Sequence, residues 1–385
     1  MSLYDDASLI MYPSGYKSGK IYCQKPTDGS GDLTFTRAST ATRVNESGLI
    51  EEVASGVPRI DYTGGGCGKL LLEPQRTNLY LNSEPTANEG PAGNISYVTA
   101  DFGLGFSNYI YFGDSSVGRY RYGGTCLAST QYTLSVFVKM DNGLAPLLGT
   151  GATKDFCIVI ANNALNSGYV TENYGNGIYR VSATATSGTT NLVNNGVLKY
   201  DSQTDEGFKV VGWQLEAGAY PTSYIPTEGS TVTRVADASN TSGLTAFIGQ
   251  TEGVLFLDIT NTRSSYDSTR AIQIDDATDS NRVQIGIFGG NITPAIVTAD
   301  VLQAAFSTPF VLGRNKMAFA YKTNDFVFYL NGSLVGSDVS GTVPATSLLR
   351  IGGKAGSASL GDGVNNAMLF KTRLTNAELA ALTTL

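Results

Sequence analysis

In Tyr132-Thr133-Leu134-Ser135-Val136-Phe137-Val138-Lys139-Met140, the side chains of Tyr132, Leu134, Val136, Val138 and Met140 recur at every second position. Only extended backbone puts alternate residues on one face, so this run predicts a strand with that face in a core. The same grammar recurs. Asn176-Gly177 separates residues 170–174 from 178–182, and a tight hairpin prefers this pair because both central residues take positive φ. Residues 316–321, 326–330 and 333–335 read as a three-stranded meander turning at Thr323-Asn324-Asp325 and at Asn331-Gly332. Two more strands are expected at 348–352 and 367–370. Thr375-Asn376-Ala377-Glu378 then predicts a capping box opening a short helix through Leu382.

Composition agrees with an all-β chain. Glycine supplies 45 of 385 residues and charged residues only 15%, against a usual ~25%, which suits many turns and a neutral polar surface. A length of 385 residues passes the ~250–300 at which single cores stop growing, so two or three domains are expected. The net charge of −7 lacks the basic face that counterion release from nucleic acid requires, so nucleic acid is not an expected partner. The one basic-aromatic cluster, Arg119-Tyr120-Arg121-Tyr122, reads as a two-faced strand instead. No apolar run approaches the ~18 residues of a spanning helix, and the start lacks the basic region and apolar core of a signal peptide. No membrane insertion is expected. Cys23, Cys67, Cys126 and Cys157 have no CxxC spacing and read as reduced, partly buried thiols, with one disulfide across the core as the alternative.

The chain contains no histidine, which removes Ser-His-Asp and Cys-His nucleophile activation and the usual zinc and iron ligands. Gly113-Asp114-Ser115 therefore reads as a turn rather than a nucleophile box. Gly64-Gly65-Gly66-Cys67-Gly68-Lys69 is one residue short of a phosphate-binding loop and continues with Leu70, so it too reads as a turn. Glycoside hydrolysis needs only two carboxylates, yet Glu172, Glu216 and Glu252 are scattered, and no catalytic residues are assigned. Asp275, Asp276 and Asp279 crowd one hairpin tip and are the candidate ligands for calcium, set against a plain solvated turn. No other cofactor is expected.

The stretch from Leu33 to Glu84 carries, in order, Phe35-Thr36-Arg37-Ala38, Thr42-Arg43-Val44-Asn45, Gly48-Leu49-Ile50-Glu51, Pro58-Arg59-Ile60-Asp61-Tyr62 and Leu71-Leu72-Glu73-Pro74-Gln75-Arg76-Thr77-Asn78-Leu79. This succession, about fifty residues long, resembles a segment of tailed-bacteriophage virion proteins of the head- or tail-fibre kind. Tyr132 to Lys139, Gly177 to Val181, and Phe208 to Glu216 running into Tyr220-Pro221-Thr222-Ser223-Tyr224 are similar to the carbohydrate-binding-module-like jelly roll that follows it in such fibres. The order of strand, Asn-Gly, strand, Ile-Gly-Gly, strand and helix resembles the end of a concanavalin A or laminin G-like sandwich.

The expected architecture is accordingly all-β with a short C-terminal helix: an N-terminal virion anchor or oligomerisation segment over 1–32, an extended linker over 33–77, and two antiparallel β-sandwich domains over 78–232 and 233–385. The resemblance implies a homotrimeric virion structural protein, a head fibre first, assembled in a bacterial cytoplasm and held by capsid, portal or tail components. Weak multivalent adhesion to host or environmental glycans is the implied work; a purely structural capsid decoration and a depolymerase are the alternatives. Sugar binding would need aromatic platforms, and Tyr109, Tyr111, Tyr120 and Tyr122 are the candidates if their strands pair, set against each filling a core or subunit contact.

Overall fold

In the computed structural model, which describes residues 3–87, 92–93, 95–113, 118–120, 123–261, 269–353, 360–361 and 363–385, the alternating run lies in the strand Gln131–Met140. Tyr132, Leu134, Val136, Val138 and Met140 all point into one core with Trp213, Leu215, Phe156 and Ile158. That strand sits inside a six-stranded antiparallel sheet, in the order Ile95–Val98, Tyr109–Phe112, Phe208–Ala217, Gln131–Met140, Ile178–Thr186, Tyr169–Asn173. A second sheet, Ala92–Gly93, Gly118–Tyr120, Gly196–Lys199, Cys157–Ile160 and Asn163–Ala164, closes the first sandwich. Its Asn176-Gly177 turn has the expected positive φ values of 52° and 73°, though the connection takes in Tyr174 and Gly175 as well.

The second sandwich pairs an eight-stranded sheet with a ten-stranded one. The expected meander is its outermost part, Gly313–Lys322, Asp325–Leu330 and Ser333–Asp338, turning at Asn331 and Gly332 with φ of 48° and 82°. The helix Asn376–Thr383 begins in the expected capping box, with the Thr375 hydroxyl accepting from the Glu378 amide and the Glu378 carboxylate accepting from the Thr375 amide. Leu379 and Leu374 seat it on the outer face of the eight-stranded sheet beside Val254, Phe256 and Tyr329.

The first seventy residues differ from the expected anchor and linker. Leu9–Met11 pairs with Gly363–Phe370, Leu33–Thr36 pairs with Ala238–Thr241, and Lys69–Leu71 pairs with Gly363–Phe370. Leu9, Met11, Ile21, Leu33, Phe35, Leu70 and Leu72 are buried in the second sandwich's core. Most of both segments therefore belongs to that sandwich, and besides local pairs such as Ile21 with Leu33 and Ile60 with Leu70 their apolar runs find cover against strands more than two hundred residues away. The first sandwich is an excursion from the second, leaving and returning through a two-stranded ribbon in which Arg76–Asn78 pairs with Val232–Arg234. Domains tolerate such insertions where entry and exit lie side by side.

Cys23, Cys126 and Cys157 are buried, and desolvation pushes their thiols up to about 12, 11 and 12, whereas Cys67 is exposed in the glycine turn. All four are unpaired. Since the thiolate is the reactive form, titration of the native protein with a chromogenic disulfide should give one rapid equivalent per chain, lost in Cys67→Ser; two or more rapid equivalents would contradict this burial.

Candidate functional site

Three of the short strands in the segment carrying the fibre resemblance are flanked by a buried charged residue. Arg37 follows Leu33–Thr36, Arg59 precedes Ile60–Asp61, and Glu73 lies two residues after Lys69–Leu71. Arg234 ends the returning ribbon and Asp237 precedes Ala238–Thr241. All five are at most 4% exposed. Arg37 pairs with Asp237 at 3.1 Å, Arg59 with Glu73 at 2.8 Å and also with Asp237, and Arg234 with Glu73 at 2.9 Å. The first sandwich contributes Ser223, whose amide and hydroxyl both donate to Glu73, and Glu216, which accepts from Gln214 and from the Thr222 amide and hydroxyl.

Three guanidiniums thus share two carboxylates, Asp237 and Glu73, where the ribbon joins the two sandwiches, with Glu216 acting on Arg234 electrostatically. Burial pushes the Arg37 and Arg234 guanidiniums below their ordinary range despite Asp237 and Glu73 beside them. At Arg59 burial acts the same way, but Asp237 and Glu73 together outweigh it and raise the group. Because removing one partner strands a buried charge, such a cluster fixes the geometry of whatever it joins.

A cavity of about 340 Å³ opens beside this cluster. One wall is the hairpin Ala41–Val44 and Ile50–Val53, which reaches across to the first sandwich: the Ile50 amide donates to the Leu104 carbonyl, and the Thr42 hydroxyl to the Tyr224 carbonyl. Asp61, Thr63 and Lys69 continue that wall, while Phe137, Glu172, Tyr174 and Arg180 come from the first sandwich. Arg43 donates to Glu51 at 2.7 Å and to the Tyr16 hydroxyl at 2.8 Å, and Asp61 accepts from the amides of Val44 and Thr63. Tyr174 stands edge-on to Phe137 at 5.2 Å, and burial pushes its phenol up. The lining therefore combines an aromatic edge with donors and acceptors in fixed positions, the composition of a small-molecule site.

Tyr109 and Tyr111 lie on a different sheet from the strand that carries Tyr120. Tyr109–Phe112 belongs to the six-stranded sheet and Gly118–Tyr120 to the five-stranded one, so the two strands do not pair. Tyr109 is 8% exposed and packs on Phe102, and the Tyr111 hydroxyl donates to Asp141 at 2.9 Å. Phe102, Leu104 and Phe106 cover the sheet face around Tyr109, Phe137 and Val211, so this face has no open platform there. Tyr122, like Ser115, lies outside the described residues.

The candidate calcium ligands are likewise separately engaged. Asp275 is fully buried and accepts from Arg350 at 2.8 Å and from Gln273, Asp276 accepts from Thr278 and Asn281, and Asp279 pairs with Arg270 at 2.5 Å. Among the described residues no three acidic or sulfur ligands converge as a metal site, and no helix is long and apolar enough to cross a membrane.

No signal along the chain marks the cavity, because its lining comes from six separated stretches: 42–73, Phe137, 172–180, 221–224, Thr260 and Gly363. One hint was available: Arg180 interrupts the run Ile178–Thr186, which is otherwise small or apolar at buried positions.

No known family profile and no curated relative matches the chain. Parts of it are similar to solved β-sandwich domains. One is the intramolecular trans-sialidase CBM40 of Ruminococcus gnavus bound to α2,3-sialyllactose, at 14% identity and TM-score 0.31, covering 35% of this chain and 84% of that one. Another is domain 4 of the GH43 arabinanase AbnA from Geobacillus stearothermophilus in complex with arabinotriose, at 11% identity and TM-score 0.33, covering 44% and 84%. A third is the receptor-binding domain of a botulinum neurotoxin C/D mosaic serotype, at 10% identity and TM-score 0.33, covering 38% and 40%. The chain itself is an all-β protein of antiparallel sandwiches.

Proposed function

We propose that the chain is a non-enzymatic fibre protein of a tailed-bacteriophage virion, a head fibre first, which adheres weakly to glycans through the cavity between its two sandwiches. One observation carries this reading. The segment on which the fibre resemblance rests is the segment that builds the joint, and its Thr42, Arg43, Ile50 and Asp61 line the sugar-sized cavity. A pyranose offers a flat apolar face and a rim of hydroxyls, which an aromatic ring and fixed polar groups can both meet.

How the lining carboxylates are used supports the non-enzymatic reading. Glu73 is occupied by Arg59, Arg234 and Ser223, and Asp61 by two backbone amides, so Glu172 has no free carboxylate partner among the described lining residues. Glycoside hydrolysis works with two. As a fibre the protein would be assembled in the bacterial cytoplasm as a homotrimer and held by other virion components, and linked copies would turn weak single sites into useful avidity.

A glycan array probed with the purified protein clustered on beads tests the reading. Retention by a subset of glycans, with no new reducing ends after incubation with the same glycans, is the expected result. A blank array removes the adhesion role and leaves a capsid decoration; released oligosaccharides would make the protein a depolymerase.

A further inference from the structure

One buried cation in the cavity wall is not neutralised by any carboxylate among the described residues. Arg180 is 5% exposed, and among the described residues no carboxylate lies within ion-pairing distance of it. Glu172 is its register partner on the neighbouring strand, where opposite charges ordinarily join, yet the two make no ion pair. The guanidinium is held by neutral groups, the Ser135 hydroxyl at 3.0 Å, the Tyr174 phenol and the face of Phe137 at 5.4 Å, and its Nε has no acceptor among the described residues. A buried charge of this kind is costly unless something pairs with it. Lys69 lines the same cavity from the second sandwich, and among the described residues its ammonium is bonded only to the Thr63 carbonyl, at 3.3 Å. Contrast the joint alongside, where each guanidinium has a carboxylate within 3.1 Å.

We infer that the cavity is built for a saccharide bearing a carboxylate, an acidic sugar of the uronic type, with Arg180 and Lys69 receiving the carboxylate from opposite walls and Tyr174 meeting the ring. Arg180 is the stronger half of the pair, because a guanidinium matches a carboxylate with two parallel donors while an ammonium acts as a point charge. The inference rests on the saccharide reading above and names the class of sugar for that site.

Saturation-transfer NMR titrations with methyl β-glucuronide and with methyl β-glucoside compare a carboxylate with a hydroxymethyl group on one ring. The full-length protein should bind the acid at least about tenfold more tightly than the neutral sugar. Lys69→Gln, at a half-buried position that can lose its charge without unfolding the chain, and Arg180→Gln should each bring that ratio toward one, while Lys322→Gln, on a remote exposed strand end, keeps it. Equal affinity for the two probes, or a preference that survives both cavity variants, overturns the inference. So does failure of both probes to bind. If neutral oligosaccharides on the array are still retained in that case, adhesion stands and only the acidic class is wrong; a blank array as well removes both.

Discussion

A chain lacking residues 1–32 is expected to lose its second sandwich, and not merely a point of attachment. The deleted part contains the strands Leu9–Met11 and Lys20–Ile21, which extend the two facing sheets. Leu9, Met11 and Ile21 are completely buried between them. At roughly 1.5–3 kcal/mol for each buried apolar side chain, these three alone represent about 5–9 kcal/mol. That approaches the roughly 5–15 kcal/mol that holds a whole domain together. Near-ultraviolet circular dichroism through a thermal scan should show no cooperative transition for the second sandwich of the truncated chain. Melting within a few degrees of the full-length protein would instead mean that the segment lies on the surface. The same result bears on any particle-incorporation assay, because a truncated chain absent from virions would be missing for want of a fold before any question of anchoring arose.

Asp237→Ala should be the most damaging single substitution at the joint. It leaves Arg37 and Arg59 buried without their shared acceptor and removes the oxygen that takes the Glu73 amide at 2.8 Å. Breaking a buried pair in this way costs about 3–5 kcal/mol. In a domain of this size that lowers the melting temperature by about 6–20 °C. The comparison is Glu252→Gln at the pair Lys322–Glu252, where 52% and 32% of the side chains are exposed and the expected change is about 0–1 kcal/mol. Equal small effects from both substitutions, read from denaturant midpoints at unchanged slope, would show that water reaches the joint and that its charges are weakly coupled.

Local order was legible in the residues and long-range order was not. The period-two run at Gln131–Met140, the Asn331-Gly332 turn and the Thr375 capping box depend on neighbours a few positions apart, and each formed as expected. The pairing of Leu33–Thr36 with Ala238–Thr241 depends on which distant edge is free, and alternation on one strand says nothing about that. Hence the strands before Leu72 read as an anchor and a linker. Nor does closeness in sequence say which sheet a strand joins: Tyr109–Phe112 and Gly118–Tyr120 belong to different sheets, and Tyr109 lies in a packed face.

The account depends most on the joint being a dry, fixed body, and native-state hydrogen exchange measures that directly. The amides of Glu73, Thr222, Ser223 and Ile225 donate to the side chains of Asp237, Glu216, Glu73 and Gln214, all buried where the two sandwiches meet. They lie outside regular strands, yet they should exchange as slowly as the central strand Gln131–Met140. Exchange as fast as that of the exposed turn at Gly64, Gly65 and Gly66 would contradict the account, because the sandwiches would then move apart freely and no fixed cavity would exist between them.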